Sequence, residues 1–426
     1  MKVYISGISG TGMGPLALMA AKAGIEVVGS DLAQGAIYNE LVAAGVKVYI
    51  GAQDGQFLKQ EMNGLDWFVY TSALPHDHAE LSLAWGAGIK CTKRDDFTAF
   101  LVERLGLKMV AVAGTHGKTT TTAMIIWASL KLGLPVSYIV GTTLGFAPSG
   151  VYHAGDKYFI YEADEYDKNF LKYHPWLAVI PFVSYDHPDI YLTQEDYEKA
   201  FKTFRSQSEM VIDNDTEKRI FEAGSFKLAG EARRKDAALA AEAVLKMLMV
   251  EAREKGEVAN VDAAMIVNVM NEFPGVGRRF EKIVDGLYTD YAHHPEEIAA
   301  TVEIALEQAK MDAKAGVVVV YQPHQNTRQH KVKNGYAHAF DEATKVFWLP
   351  TYLTREDPLL NILTNTELAA LVEGVDAEAV ELNDELKKRL DQYLKDNYLV
   401  VLMTAGPADT WLREKYLTPQ TKFSLI

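Results

Sequence analysis

Seven consecutive residues, Gly114, Thr115, His116, Gly117, Lys118, Thr119 and Thr120, combine glycines, a lysine and hydroxyls at a spacing that can hold phosphate. Glycines let backbone N–H groups turn toward phosphate oxygens, and a helix starting at the lysine adds the positive end of its dipole. Lys118 can then reach the β- or γ-phosphate of a nucleotide, and the Thr119 hydroxyl can ligate Mg2+. The surrounding stretch "VAVAGTHGKTTTTAMII" supplies the flanks this chemistry needs, a β-rich apolar run before and a helix-compatible run after. The pattern departs from G-x-x-x-x-G-K-[ST] at one place. Val112 stands where the first glycine belongs and the glycine comes later, at Gly114, so the loop is a shorter variant. A glycine-rich turn with an incidental Lys-Thr is the bland alternative, and the flanks argue for nucleotide binding.

Further groups follow the same logic. "YEADEYDKNFLKYHP" comes directly after the run "KYFI" and places Glu162, with Glu165 behind it, at a strand end. A carboxylate there, near a phosphate loop, is well placed for Mg2+. "VSYDHPDIY" ends another run with Asp186 and His187. Near the N-terminus, "GISGTGMG" carries Gly10, Thr11, Gly12 and Met13 into a helix, and Asp31 closes the next strand where a ribose-binding acid would sit. On these residues alone a nicotinamide dinucleotide is one reading and a capping aspartate another, since the spacing is not G-x-G-x-x-G. "YTDYAHHPEEI" brings Asp290, His293 and His294 to a strand end, with Pro295 suited to a first helical turn. Taken singly, each of these motifs also reads as solvated acidic loop or structural histidine.

Their order along the chain resembles the Mur ligases, which join amino acids to UDP-N-acetylmuramic acid in building peptidoglycan. The alanine-adding branch is the nearest. The phosphate loop matches that family's Gly-Thr-(His/Asn)-Gly-Lys-Thr form, and "YEADEYD" and "YDHPD" match its metal segments. The resemblance implies that Thr119, Glu162 and His187 gather around magnesium, with Glu165 as the alternative to Glu162. "PGVGRRF" matches the family's junction before its last domain, which makes Arg279, or its neighbour Arg278, an arginine for the ATP phosphates. The first block then holds the UDP-sugar, with Ser72 in "TSALPHDHAEL" and Arg94 in "KRDDF" on the substrate side. Asp290 and His294 line the ATP site, and His324 and Arg328 of "QPHQNTRQH" face the incoming amino acid.

Two departures stand out. Gln325 replaces an arginine of the family's acceptor segment. The stretch from about 215 to 265 is short, and "GEARRKDAALAA" replaces a family His-Asn pair, leaving Asp236 where relatives place an adenine-contacting asparagine. The implied activity is ATP- and Mg2+-dependent ligation of an amino acid, L-alanine first, to the lactyl carboxylate of UDP-N-acetylmuramic acid through an acyl phosphate. The last domain is expected to close over the ATP site. A recycling ligase that adds a tripeptide, or a UDP-sugar-binding protein without catalysis, are the alternatives.

The elements that must position these groups are legible as short apolar runs alternating with helical patterns, the signature of α/β folds. The expected fold class is α/β with three domains: residues 1–106, Rossmann-like, for the UDP-sugar; 107–278, a shortened P-loop ATPase domain; and 279–426, Rossmann-like, for the amino acid. A length of 426 residues accommodates this. The net charge of −14 disfavours nucleic acid or anionic membrane as partner. A single cysteine, Cys91, fits a cytoplasmic location, and "MKVYISG" reads as a strand rather than a signal peptide. No apolar run approaches the ~18 residues that span a membrane. A monomer or weak homodimer is expected.

Overall fold

The computed structural model describes residues 1–417 except 36, 72–73, 188–189, 215–219, 258–261 and 355. The described chain builds three sheets. The first contains β1 (Lys2–Ser6), β2 (Glu26–Asp31), β3 (Lys47–Ile50), β4 (Trp67–Tyr70) and β5 (Lys90–Lys93), in the order β3-β2-β1-β4-β5, all parallel. The second contains β6 (Lys108–Val112), β7 (Val136–Ile139), β8 (Gly150–Val151), β9 (Tyr158–Glu162), β10 (Leu177–Ile180) and β11 (Met210–Asp213). Its order is β11-β10-β6-β9-β7-β8, with only the β7–β8 pair antiparallel. The third contains β12 (Glu281–Val284), β13 (Leu287–Asp290), β14 (Val317–Gln322), β15 (Lys345–Trp348), β16 (Ala377–Ala379) and β17 (Leu399–Thr404). Its order is β12-β13-β17-β14-β15-β16, with β12–β13 antiparallel.

Parallel strands covered on both faces read as continuous apolar runs. The central strands β6, β14 and β17 do so, and every residue of β14 and β17 is buried. Two compact units result. The first is Met1–Phe226 with Lys235–Phe273 and holds the first two sheets; the second is Lys227–Arg234 with Pro274–Ile426 and holds the third.

Within the first unit one apolar cluster runs from Val3, Leu16 and Phe97 to Ala111, Phe159 and Phe201, so the two sheets share a core. Asp95, on the helix Arg94–Arg104, accepts hydrogen bonds from Tyr161 (3.1 Å) and Tyr173 (2.8 Å) of the second sheet's layer. A side chain at Gly150 would meet Pro15 at 2.3 Å, so only glycine permits that close approach. In the second unit separate clusters fill the two faces of the sheet, one around Tyr321 and Trp348, the other around Val318 and Phe347. Among the described residues no helix is long and apolar enough to cross a membrane.

Candidate functional site

In the first unit, β6 ends at Val112 and the helix Lys118–Lys131 begins after five intervening residues, so the loop lies at the carboxyl end of the sheet. This is where open α/β sheets place ligands. Gly117 has φ +82°, and a Cβ there would meet Asp236 Oδ1 at 2.6 Å and Pro181 Cβ at 2.9 Å. Gly114 is similarly enclosed, with the Phe182 carbonyl oxygen 2.7 Å from a built Cβ. Thr115 braces the loop. Its N–H donates to the Phe182 carbonyl at 2.8 Å, and its hydroxyl donates to Ser184 O at 2.7 Å and accepts from Ser184 N at 2.9 Å. His116 is exposed and lies against Phe182, ring centroids 6.0 Å apart; Thr120 is half-buried. The expected helix flank is present, so the helix dipole points at the loop.

The candidate side chains form two groups. Thr119 Oγ1 donates to Glu162 Oε1 at 2.8 Å, joining the helix start to the end of β9. Lys118 Nζ lies 2.9 Å from Glu165 Oε1 and 2.8 Å from Oε2. Glu165 is only 1% exposed, and its Oε1 is also 3.5 Å from His187 Nε2. That hydrogen bond holds the His187 imidazole above its ordinary value, against the opposing effect of burial. Burial raises the neighbouring Asp164 carboxyl.

The structure thus brings Thr119 to Glu162 but sets His187 against Glu165. Among the described residues no three His, Cys, Asp or Glu side chains gather as a ready metal cage. A hydroxyl and a carboxylate side by side are the hard oxygen donors magnesium takes, usually completed by waters and substrate phosphates. Thr119 and Glu162 therefore fit that ion, and the glycine-walled loop fits a nucleotide's phosphates.

Strain marks the site. His187 has φ +55°, and Asp167 and Lys168, just after Glu165, have φ +54° and +57°. Left-handed non-glycine residues cost energy and cluster where function holds them. The double role of Glu165 was the feature sequence reasoning did not place. Its one signal was a second carboxylate in E-A-D-E.

At the first sheet, Gly10 and Thr11 are exposed in the turn after β1, and Gly12 caps the helix Met13–Lys22. A Cβ at Gly12 would meet Arg94 Nη1 at 2.5 Å, so the guanidinium lies over the turn. The Met13 side chain is buried in the core and leaves only its backbone to the turn. Asp31 Oδ2 accepts from Ser9 N at 2.8 Å, so this carboxylate braces the turn. Ser72 lies outside the described residues.

In the second unit, Asp290 is 7% exposed, and its oxygens accept from Phe280 N (2.7 Å), Ala292 N (2.8 Å) and Thr301 Oγ1 (3.2 Å). It ties two loops together from below, and burial raises its carboxyl. His294 is the N-cap of the helix Pro295–Met311, its N–H donating to Glu297 at 3.3 Å. Arg279 lies over the Tyr291 ring at 5.2 Å, beside Arg278 at 4.7 Å. His293 and His324 have ring centroids 6.2 Å apart, and Arg328 Nη1 is 3.2 Å from His324 Nδ1. Gln325 takes φ +63° and begins the helix Asn326–Val332, whose first N–H groups are already taken by Glu356. Arg328 is a cationic side chain within this cluster.

Comparison with known proteins gives consistent matches. Residues 2–104 match the Mur ligase family catalytic domain and residues 112–228 the Mur ligase middle domain. A UDP-N-acetylmuramate–L-alanine ligase of Rubrobacter xylanophilus is 31% identical, over 96% of this chain and 96% of that protein. One from Thermosynechococcus vestitus is 29% identical over 99% of this chain and 96% of that one. Among solved structures, the UDP-N-acetylmuramate–alanine ligase of Thermotoga maritima superposes with a TM-score of 0.73 at 22% identity, covering 97% of this chain and 98% of that chain. A murein peptide ligase from Psychrobacter arcticus gives 0.57 at 21% identity, covering 100% and 98%. At those identities the superpositions establish the fold.

Proposed function

The chain belongs to the Mur ligase family, and we propose that it joins L-alanine to the lactyl carboxylate of UDP-N-acetylmuramic acid with ATP as the energy source. This is an ADP-forming amide ligation in peptidoglycan precursor synthesis. The observation that carries the reading is the arrangement at the carboxyl ends of β6 and β9: a glycine-walled phosphate loop, Lys118 held by a buried carboxylate, and Thr119 against Glu162.

The reaction balances in two steps. A lactyl carboxylate oxygen attacks the γ-phosphorus, the bond to the β–γ bridging oxygen breaks, and ADP leaves with that electron pair. The alanine amine then attacks the acyl carbon, phosphate departs with the C–O pair, and the amine nitrogen loses a proton. Loop N–H groups and Lys118 offset the charge that builds on the transferring phosphoryl group. Thr119 and Glu162 would hold magnesium, which neutralises phosphate charge. Arg328, beside His324, pairs with the alanine carboxylate by a charge-assisted hydrogen bond. Arg94, over the turn Gly10–Gly12, faces the anionic part of the nucleotide sugar. A cytoplasmic site of action accords with the single cysteine, Cys91.

Gln325 supports a second reading, a ligase that adds a peptide in place of a free amino acid, because the acceptor segment has lost one cation. Phosphate release from ATP with Mg2+ and UDP-N-acetylmuramic acid separates the readings. Release that depends on L-alanine and yields ADP and the amide is expected. Release only with a tripeptide assigns the second reading. No release with any acceptor, despite tight binding of the nucleotide sugar, leaves a binding protein.

A further inference from the structure

A buried carboxylate lies under the first sheet's carboxyl edge. Glu80 is fully buried on the helix Ala79–Gly86. Its Oε1 accepts from Tyr4 OH at 2.6 Å, and its Oε2 accepts from the hydroxyls of Ser6 at 2.7 Å and Ser30 at 2.8 Å. Ser6 and Ser30 are the neighbouring residues of β1 and β2 that precede the glycine-rich turn and Asp31. Because both hydroxyl hydrogens point at Glu80, the serine oxygens are left as acceptors.

Gln53, just past β3, uses them. Its Nε2 donates to Ser30 Oγ at 2.9 Å and Ser6 Oγ at 3.1 Å, and lies 3.4 Å from Glu80 Oε2. The amide cannot be reversed. Reversal would set its oxygen against two committed hydroxyl oxygens and a carboxylate, which no donor would compensate. Gln53 is half-buried, and among the described residues its Oε1 takes no hydrogen bond. A polarised chain from Glu80 through two serines therefore presents one fixed acceptor at the carboxyl end of the sheet, beside the Asp31 turn.

We propose that Gln53 reads the nucleoside of the nucleotide sugar, with Glu80 as its positioning residue. This rests on the proposed function above. A fixed acceptor selects a donor. The phosphates of the ligand have none, whereas uridine has its base N3–H and its ribose hydroxyls. Cytosine carries a lone pair at N3, so an acceptor facing the base would favour uracil over cytosine. A site built to hydrogen-bond one group rejects analogues lacking it because its own polar atom is left unpaired.

The test is calorimetric binding of UDP-N-acetylmuramic acid, its cytidine analogue and its 2′-deoxyuridine analogue to the full chain, wild type and variants. Gln53→Met is expected to weaken the uridine ligand by about tenfold. It should also erase the wild type's preference over one analogue: over the cytidine ligand if the base is read, over the deoxy ligand if the ribose is. Glu80→Gln should erode the same preference, because a neutral amide no longer dictates how the serines and Gln53 point. KM for ATP should stay unchanged in both. A Gln53→Met protein with wild-type affinities and preferences would overturn the proposal. Full discrimination retained in Glu80→Gln would overturn the positioning role. Failure of the wild type to bind UDP-N-acetylmuramic acid at all would instead overturn the proposed function.

Discussion

Lys118 and Glu165 stand on different elements, yet the lysine ammonium contacts both oxygens of the carboxylate, at 2.9 and 2.8 Å. Glu165 is 1% exposed, and its Oε1 also lies 3.5 Å from His187 Nε2. Removing one member of a buried pair strands the other. Lys118→Met should therefore lower stability by roughly 1–3 kcal/mol and ligase turnover by about 10³-fold or more. Glu165→Gln keeps the shape but removes the lysine's charged partner, leaving it the Gly114 and Thr115 carbonyls, and turnover should fall by roughly 10–10²-fold. Steady-state rates with a thermal melt for each variant check this; wild-type turnover in Lys118→Met would remove the lysine from the chemistry.

The contact of Thr119 with Glu162 at 2.8 Å predicts a shared role in holding magnesium. Thr119→Ala and Glu162→Gln should each raise the Mg2+ concentration for half-maximal rate by about tenfold or more. Thr119→Ser keeps the hydroxyl and should retain the wild-type requirement. A Mg2+ titration of the four proteins distinguishes metal binding from general damage, which would lower the plateau without moving the midpoint.

Arg328 lies 3.2 Å from His324 and is proposed to take the acceptor's carboxylate. Arg328→Leu should raise KM for L-alanine by about tenfold or more, the cost of losing a charge-assisted hydrogen bond. KM for ATP should not move. Equal changes in both constants would point to a distorted unit rather than a lost contact.

His293 gives a pH prediction. Burial pushes its imidazole down to about 4, against the pull of Glu297. The sign follows from proton uptake: between its ordinary value and about 4 the unfolded chain binds a proton that the folded one does not. This contribution is intact near neutral pH and is lost as pH falls, roughly 1–2 kcal/mol by about pH 5. Thermal melts should show a steeper acid loss for wild type than for His293→Gln. Parallel curves would mean that His293 does not titrate differently on folding.

Much of this was legible in the sequence, and for a physical reason. Strands buried on both faces are apolar throughout, so β6, β14 and β17 stood out from their neighbours. Edge strands such as β3, "KVYI", and β5, "KCTK", are half-exposed and carry polar residues, so no pattern announced them. The alpha/beta class and the phosphate loop followed from local order along the chain. Pairings did not. Lys118 meets Glu165 while Thr119 meets Glu162, and no local pattern in the sequence decides between the two carboxylates. The clustering of Lys227–Arg234 with the second unit, while the rest of the helix Glu231–Glu254 lies in the first, could not be read from a continuous helical pattern. Gln53 was invisible for a simpler reason. A lone glutamine in a loop acquires meaning only when Ser6, Ser30 and Glu80 are seen to surround its amide.

The central claim is that the phosphate loop activates a carboxylate for amide formation. The most direct test supplies UDP-N-acetylmuramic acid labelled with oxygen-18 in its lactyl carboxylate, together with ATP, Mg2+ and L-alanine, and analyses the released phosphate by mass spectrometry. Passage through an acyl phosphate predicts one labelled oxygen transferred to each phosphate, with ADP and the alanyl amide formed in equal amounts. Unlabelled phosphate, released whether or not alanine is present, would mean that the loop hydrolyses ATP without activating the sugar, and would contradict the account.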